Sequence, residues 1–177
     1  PVLWWSPDPR MVLFPRDVHV SRTLRRTIRS GRFLVTFDRA FQAVMDGCAA
    51  PRRQQDGTWL TAEMMDAYAR LAQLGFAHSV ETWDGEELVG GLYGVALGRV
   101  FYGESMFSRR TDGSKVALTY LARQLERWRF VVIDCQMATG HLASLGAHEI
   151  PRDDFLRFVR VGIAQPGVRG PWRVDED

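Results

Sequence analysis

Ser79-Val80-Glu81-Thr82-Trp83, then Asp84-Gly85, then Glu87-Leu88-Val89-Gly90-Gly91-Leu92-Tyr93-Gly94-Val95-Ala96 is the stretch on which the fold turns. From His78 the hydrophobic period is two, and Asp-Gly between two such runs signals a tight hairpin, so an antiparallel pair is expected here. Downstream, Gly98 turns the chain into a further strand over 100–102, and 114–127 has helical spacing. Phe130 to Asp134 is a short apolar run suited to a buried strand. Short helices are expected over 137–145 and 152–161, and after Gln165 the residues Pro166, Gly167, Gly170 and Pro171 read as loop. Upstream, Thr61 caps a helix carrying Met64, Tyr68 and Leu71 on one face and stopping at Gly75. Pro51 to Gly57 is a polar loop, Asp38 is expected to cap a helix through Val44 to about Cys48, and 32–37 reads as a strand. Ser21 caps a helix through about Ser30, and 1–17, with four prolines, reads as irregular. Helices and antiparallel strands followed by helix, strand, helix indicate an α+β fold with a mixed sheet flanked by helices.

A chain of 177 residues, 46% hydrophobic and 25% charged, has material for one core without disulfides or metal. Its two cysteines, Cys48 and Cys135, form no metal-ligand spacing, and neither do His19, His78, His141 and His148. No apolar run approaches the ~18 residues of a membrane span, and no signal peptide is evident, so a soluble cytoplasmic protein is expected. Pro1 is not an initiator methionine, and Val2, Leu3, Trp4 and Trp5 are large apolar residues that want burial; sequence ahead of Pro1 is therefore expected. Net charge is +2, but residues 1–55 hold ten arginines against four aspartates, while the rest holds 13 basic against 17 acidic residues. Lys115 is the only lysine.

Four groups of residues suggest chemistry. Asp134 and Gln136 sit at i and i+2 where the buried strand ends, so their side chains share a face with Cys135 opposite. The carboxyl end of a core strand is where open sheets bind ligands. Glu104, in Gly103-Glu104-Ser105-Met106, is a carboxylate among apolar neighbours; it either binds a cationic amine or ribose hydroxyls, or forms a structural salt bridge to Arg99 or Lys115. Arg22, Arg25, Arg26 and Arg29 fall on a helix whose Val20, Leu24 and Ile28 supply the apolar stripe. They serve either as a solvated face or as phosphate contacts on a compact RNA. Trp4, Trp5 and Trp59 lie in loops and either pack in a core or stack an unpaired base. Ser114 caps its helix, and Lys115 in the first turn, unfavourable for the helix dipole, suits an anionic partner. A Cys135–His141 nucleophile is disfavoured by orientation.

Taken together, Trp4-Trp5-Ser6-Pro7-Asp8-Pro9-Arg10, Gly57-Thr58-Trp59, His78-Ser79-Val80-Glu81, Val89-Gly90-Gly91-Leu92-Tyr93-Gly94-Val95, Gly103-Glu104-Ser105-Met106-Phe107-Ser108, Ser114-Lys115, Ile133-Asp134-Cys135-Gln136, His141 and Ser144-Leu145-Gly146-Ala147 closely resemble the bacterial leucyl/phenylalanyl-tRNA–protein transferases. The resemblance implies an acetyltransferase-like (GNAT-type) domain over 13–165, with 1–12 the remnant of a small N-terminal domain and 166–177 a tail. It implies transfer of Leu or Phe from aminoacyl-tRNA to proteins with N-terminal Arg or Lys, marking them for degradation, by a monomeric cytoplasmic enzyme without cofactor or metal. Asp134, Gln136 and Glu104 would form the reaction centre. Trp59 would contact the terminal adenosine, and Leu92 and Met106, with Leu121 and Ser108, would take the aminoacyl group. Arg22, Arg25, Arg26, Arg29 and Lys115 would meet tRNA. Leu92 stands where methionine is frequent in the family, a swap of nearly conserved volume. Family members also carry an N-terminal segment ahead of Trp4-Trp5. An already activated ester needs positioning more than a strong base. Two rival readings are an acyl-CoA-dependent N-acetyltransferase, for which 107–114 lacks the glycine-rich loop, and a non-catalytic tRNA-binding domain.

Overall fold

The computed structural model describes residues 5–50 and 60–174. One seven-stranded sheet organises them, in the order β2-β3-β4-β5-β6-β1-β7. The strands are β1 (Arg10–Leu13), β2 (Leu34–Phe37), β3 (Ala77–Asp84), β4 (Glu87–Leu97), β5 (Val100–Ser108), β6 (Val132–Gln136) and β7 (His148–Ile150). The helices are α1 (Arg22–Arg29), α2 (Phe41–Ala49), α3 (Ala62–Gln73), α4 (Gly113–Arg127), the single turn α5 (Gly140–Ala143) and α6 (Arg152–Ile163). Every neighbouring pair is antiparallel except β5 with β6, which α4 connects as a crossover. No helix among the described residues is long and apolar enough to cross a membrane.

The mixed α+β architecture follows the sequence reading. The hairpin turns at Gly85 with φ of +63°, which an L side chain rarely adopts. Ser21 and Thr61 accept the Leu24 and Met64 amides as N-caps. Six local readings are corrected. The proline-rich start contains β1, whose Met11, Val12 and Leu13 are buried, and β7 was not foreseen between Gly146 and Pro151. Asp38 caps no helix. It sits at φ +52° and its carboxylate accepts from His78 Nδ1 (2.8 Å) and the amides of Ser79 (2.9 Å) and Trp172 (2.6 Å), while α2 begins at Phe41. The strand expected to stop at Tyr102 runs to Ser108. Ser114 is not the cap of α4, because Ser108 Oγ takes the Ser114 amide. The helix expected over 137–145 is reduced to Gly140–Ala143, capped by Thr139. Beyond Ile163 the chain is loop, yet Trp172 is fully buried and stacks on His78 at 3.6 Å.

The two faces of the sheet are filled differently. On one, Leu24 of α1 and Val116, Leu118, Leu121 and Leu125 of α4 pack with Val80, Leu92, Phe101 and Ile133. On the other, α2 and α3 cover β4 and β5 through Val44, Met45, Tyr68, Tyr93 and Phe107. Phe155 of α6 covers Val12, Val100 and Val132 farther along that face. The helical cover of the second face is thus split between α2 with α3 and α6.

Gly90 of β4 meets the first residue of α4. A Cβ there would lie 2.5 Å from the Gly113 carbonyl carbon and 2.9 Å from the Ser114 nitrogen, both backbone atoms that cannot swing aside. Gly90→Ala is expected to cost ~1–3 kcal/mol, the usual range for overpacking, read as a lower urea midpoint at unchanged m-value. An unchanged midpoint would refute the close approach.

Candidate functional site

β5 and β6 pair only through Val100–Val132, Phe101–Ile133 and Tyr102–Asp134. Beyond Asp134 they part, and each carries an irregularity there. In β5 the register with β4 passes from Tyr93–Ser105 to Gly94–Gly103, so Glu104 is an unopposed extra residue, a β-bulge. Gly94 permits it: a Cβ at that position would collide with the Tyr102 carbonyl oxygen. In β6 the register with β1 passes from Val12–Asp134 to Met11–Gln136, leaving Cys135 unopposed. Gln136 then adopts φ +64°.

These irregularities gather the polar residues on the α3/α6 face. Asp134 has no solvent exposure and is gripped by Arg10: Nε donates to Oδ1 at 2.9 Å and an Nη to Oδ2 at 2.7 Å. Asp134 Oδ1 also accepts the Gln136 amide at 2.9 Å. The Gln136 carboxamide spans the opening between the strands, with Nε2 donating to the Gly103 carbonyl at 2.9 Å and, at 3.4 Å, to Glu104 Oε2. Tyr68 of α3 donates a hydrogen bond to Glu104 from the far side. Loss of water raises the Glu104 carboxyl above its ordinary value, with bonds from Tyr68 and Gln136 opposing. Burial raises the Tyr68 hydroxyl too, aided by the neighbouring Glu104 charge, and raises that of Tyr102, aided by Asp134.

The expected shared face of Asp134 and Gln136 is what forms, and Cys135 packs against the α4-side core. Burial pushes the Cys135 thiol up to about 12, so it is inert as a nucleophile near neutrality. Glu104 pairs with neither Arg99 nor Lys115: Arg99 donates to the Trp128 carbonyl and Lys115 lies 3.9 Å from Asp112. Leu92 and Met106 are register partners and join Leu121 on the opposite, α4-side face. Leu121 is sealed in that core, where it can only underlie a pocket. Ser108 Oγ is engaged at the start of α4, donating to the Arg110 carbonyl and accepting the Ser114 amide. Arg22, Arg25, Arg26 and Arg29 are exposed on α1. Thr27 of that helix bonds Asp112 at 3.0 Å, which brings the arginines alongside Lys115. His141 lies 3.5 Å from Ser114 Oγ, its imidazole lowered by burial and by Lys115. Trp59 lies outside the described residues, as does Trp4. Arg10 and Tyr68 escaped the sequence reading as site residues; Arg10 stood within the Trp4–Arg10 motif, which was its only signal.

Residues 12–160 match the family model described as leucyl/phenylalanyl-tRNA protein transferase. The chain belongs to this family. Among its relatives, a leucyl/phenylalanyl-tRNA–protein transferase from Nitrosospira multiformis is 64% identical over 88% of this chain and 67% of its own length. Those from Nitrosomonas europaea and Azotobacter vinelandii are 57% and 60% identical, over 98% and 95% of this chain and 74% of each relative. A solved GCN5-related N-acetyltransferase from Kribbella flavida aligns with TM-score 0.37 and 12% identity, over 81% of this chain and 55% of that one. At that distance it carries no argument. The family assignment and the mixed sheet rest on the closer relatives and on the topology itself.

The raised Glu104 carboxyl has a thermodynamic consequence. In the window between its ordinary and raised values the folded state holds a proton that the unfolded chain releases, so stability falls as pH rises through that window. Glu104→Gln should remove this slope. Thermal midpoints of both proteins across the mildly acidic range test it, and parallel curves would contradict the assignment.

Proposed function

We propose that this chain transfers leucine or phenylalanine from aminoacyl-tRNA to the N-terminal arginine or lysine of proteins, with Asp134, Gln136 and Glu104 as the reaction centre. The observation that carries the reading is the Gln136 carboxamide spanning the parted strands with Glu104 beside it. With Nε2 committed to Gly103 and Glu104, Oε1 is the acceptor that the carboxamide has to offer an incoming amine. It fixes the direction of the nitrogen lone pair against the ester carbonyl.

Glu104 attracts the cationic acceptor and takes a proton from its amine, a task that suits a carboxylate whose proton affinity is increased by burial. The C–N bond forms as the ester C–O bond breaks, and the second proton shed by the attacking nitrogen passes to the leaving ribose oxygen, which departs as a hydroxyl. Asp134, saturated by Arg10 and the Gln136 amide, works as a clamp and not as the proton acceptor. Leu92 and Met106 would contact the leucyl or phenylalanyl side chain from the α4 side. Exposed Arg22, Arg25, Arg26 and Arg29, with Lys115, meet phosphates without reading sequence. Domain boundaries at about residues 12 and 165, a monomeric state and action in the cytoplasm belong to the same proposal.

Incubating the protein with radiolabelled Leu-tRNA and peptides beginning with Arg or Ala tests it. Label on the Arg peptide alone is the expected result. Retained tRNA binding with no transfer to either peptide would favour a non-catalytic tRNA-binding role. Replacing the four α1 arginines with alanine should raise KM for Leu-tRNA, flatten its salt dependence, and leave kcat unchanged. Loss confined to kcat would place that helix away from the tRNA.

A further inference from the structure

Among the described residues, Arg10 is the one charged side chain bonded to the carboxylate of Asp134, and it comes from a different part of the chain. Its β1 enters the sheet between β6 and β7, where Met11 pairs with Gln136 and Val12 with Asp134. The segment ahead of it is tied to the start of α6: the Arg152 amide donates to Asp8 Oδ1 at 3.1 Å, and an Arg152 Nη to the Ser6 carbonyl at 2.9 Å. The Arg10 guanidinium itself lies 5.2 Å from the centre of the Phe155 ring. Its side chain is only 12% exposed. Backbone ties and a ring thus hold the guanidinium at one place.

Both Asp134 oxygens are occupied by this fork, and Oδ1 additionally holds the backbone amide of Gln136. The donor of that bond, Gln136, has φ +64°, a conformation that a glutamine keeps only where its surroundings impose it. Rotation of the Asp134 carboxylate would release the Gln136 amide, and the carboxamide would lose its bridge to Gly103. A lysine delivers the same charge through one rotatable ammonium and lacks the planar fork that sets the carboxylate plane.

We propose that Arg10 is a positioning residue for the transfer, acting through Asp134 to set the backbone and hence the carboxamide of Gln136. This rests on the transfer reading given above. The role separates from fold maintenance by its kinetic signature. Orientation of Gln136 matters to the attack on the ester and little to the binding of tRNA or peptide, so the loss falls on kcat. Because Arg10 acts only through Asp134, its removal costs nothing more once Asp134 can no longer be held as an anion.

The test compares the wild-type chain with Arg10→Lys, Arg10→Met, Asp134→Asn and the Arg10→Met/Asp134→Asn double variant. Each is assayed below its own thermal midpoint for Leu transfer to an Arg peptide. Arg10→Lys is expected to lower kcat by at least ~10-fold with both KM values within ~2-fold of wild type. The double variant is expected to match Asp134→Asn in kcat, a non-additive cycle. It also carries no uncompensated charge, so it keeps the comparison available if Arg10→Met alone fails to fold. Wild-type kcat in Arg10→Lys, or a double variant slower than Asp134→Asn by a further large factor, would overturn the role while leaving the transfer reading intact. A wild-type chain that transfers nothing would overturn the transfer reading, and this role with it, whatever the variants do.

Discussion

The ion pair between Arg10 and Asp134 sits where the sheet stops being a sheet. Asp134 is the last residue of β6 to pair with β5, and it also pairs with Val12 of β1, so one side chain belongs to the junction of three strands. A buried carboxylate without a partner is costly: removing one member of such a pair typically costs ~3–5 kcal/mol. Here the partner is bidentate and nearly buried, and a third donor comes from the next turn of the same strand. The junction is therefore stiff, and what projects from it is placed with little freedom. That matters for an aminolysis in which no covalent enzyme intermediate is needed and geometry supplies much of the rate.

The opening between β5 and β6 has two local causes that reinforce each other. Glu104 is inserted into β5 and Cys135 into β6, one extra residue on each side of the parting, at matching height. The first insertion turns Glu104 towards Tyr68, and the second ends regular pairing so that Gln136 takes up its left-handed conformation. The polar groups exposed by the parting are then joined by the Gln136 carboxamide to Gly103. An ordinary ladder at this point would have used the Gly103 carbonyl in strand pairing, and no side chain would bridge there.

Much of this was legible in the sequence because it depends on local patterns. The hairpin at Asp84-Gly85, the caps at Ser21 and Thr61 and the helix of α4 all follow from spacing and turn chemistry. The grouping of Asp134 with Gln136 follows from the period of a strand. What escaped depends on distant partners. β1 is a strand only because β6 and β7 flank it; its three buried residues lie between prolines that read as irregular chain. Asp38 has the composition of a helix cap, yet His78, Ser79 and Trp172 compete for its carboxylate and win. Arg10 and Tyr68 reach Asp134 and Glu104 across 124 and 36 positions of sequence, a separation that no periodicity reports.

The sheet itself separates two demands that an aminoacyl transferase must meet. Leu92, Met106 and Leu121 share the face covered by α4, whereas Glu104, Asp134 and Arg10 share the face between α3 and α6. An apolar pocket sorts side chains weakly, at ~1–3 kcal/mol per methylene, and gains from being dry. In the reaction proposed above, a cationic N-terminus would be drawn in by the half-buried Glu104, which needs polar neighbours rather than apolar cover. In the proposed function these two tasks fall on opposite faces, and the parting of β5 and β6 is where a substrate would touch both. The ester would then have to lie in that opening, within reach of Gln136, with its side chain directed to one face and its attacker arriving from the other.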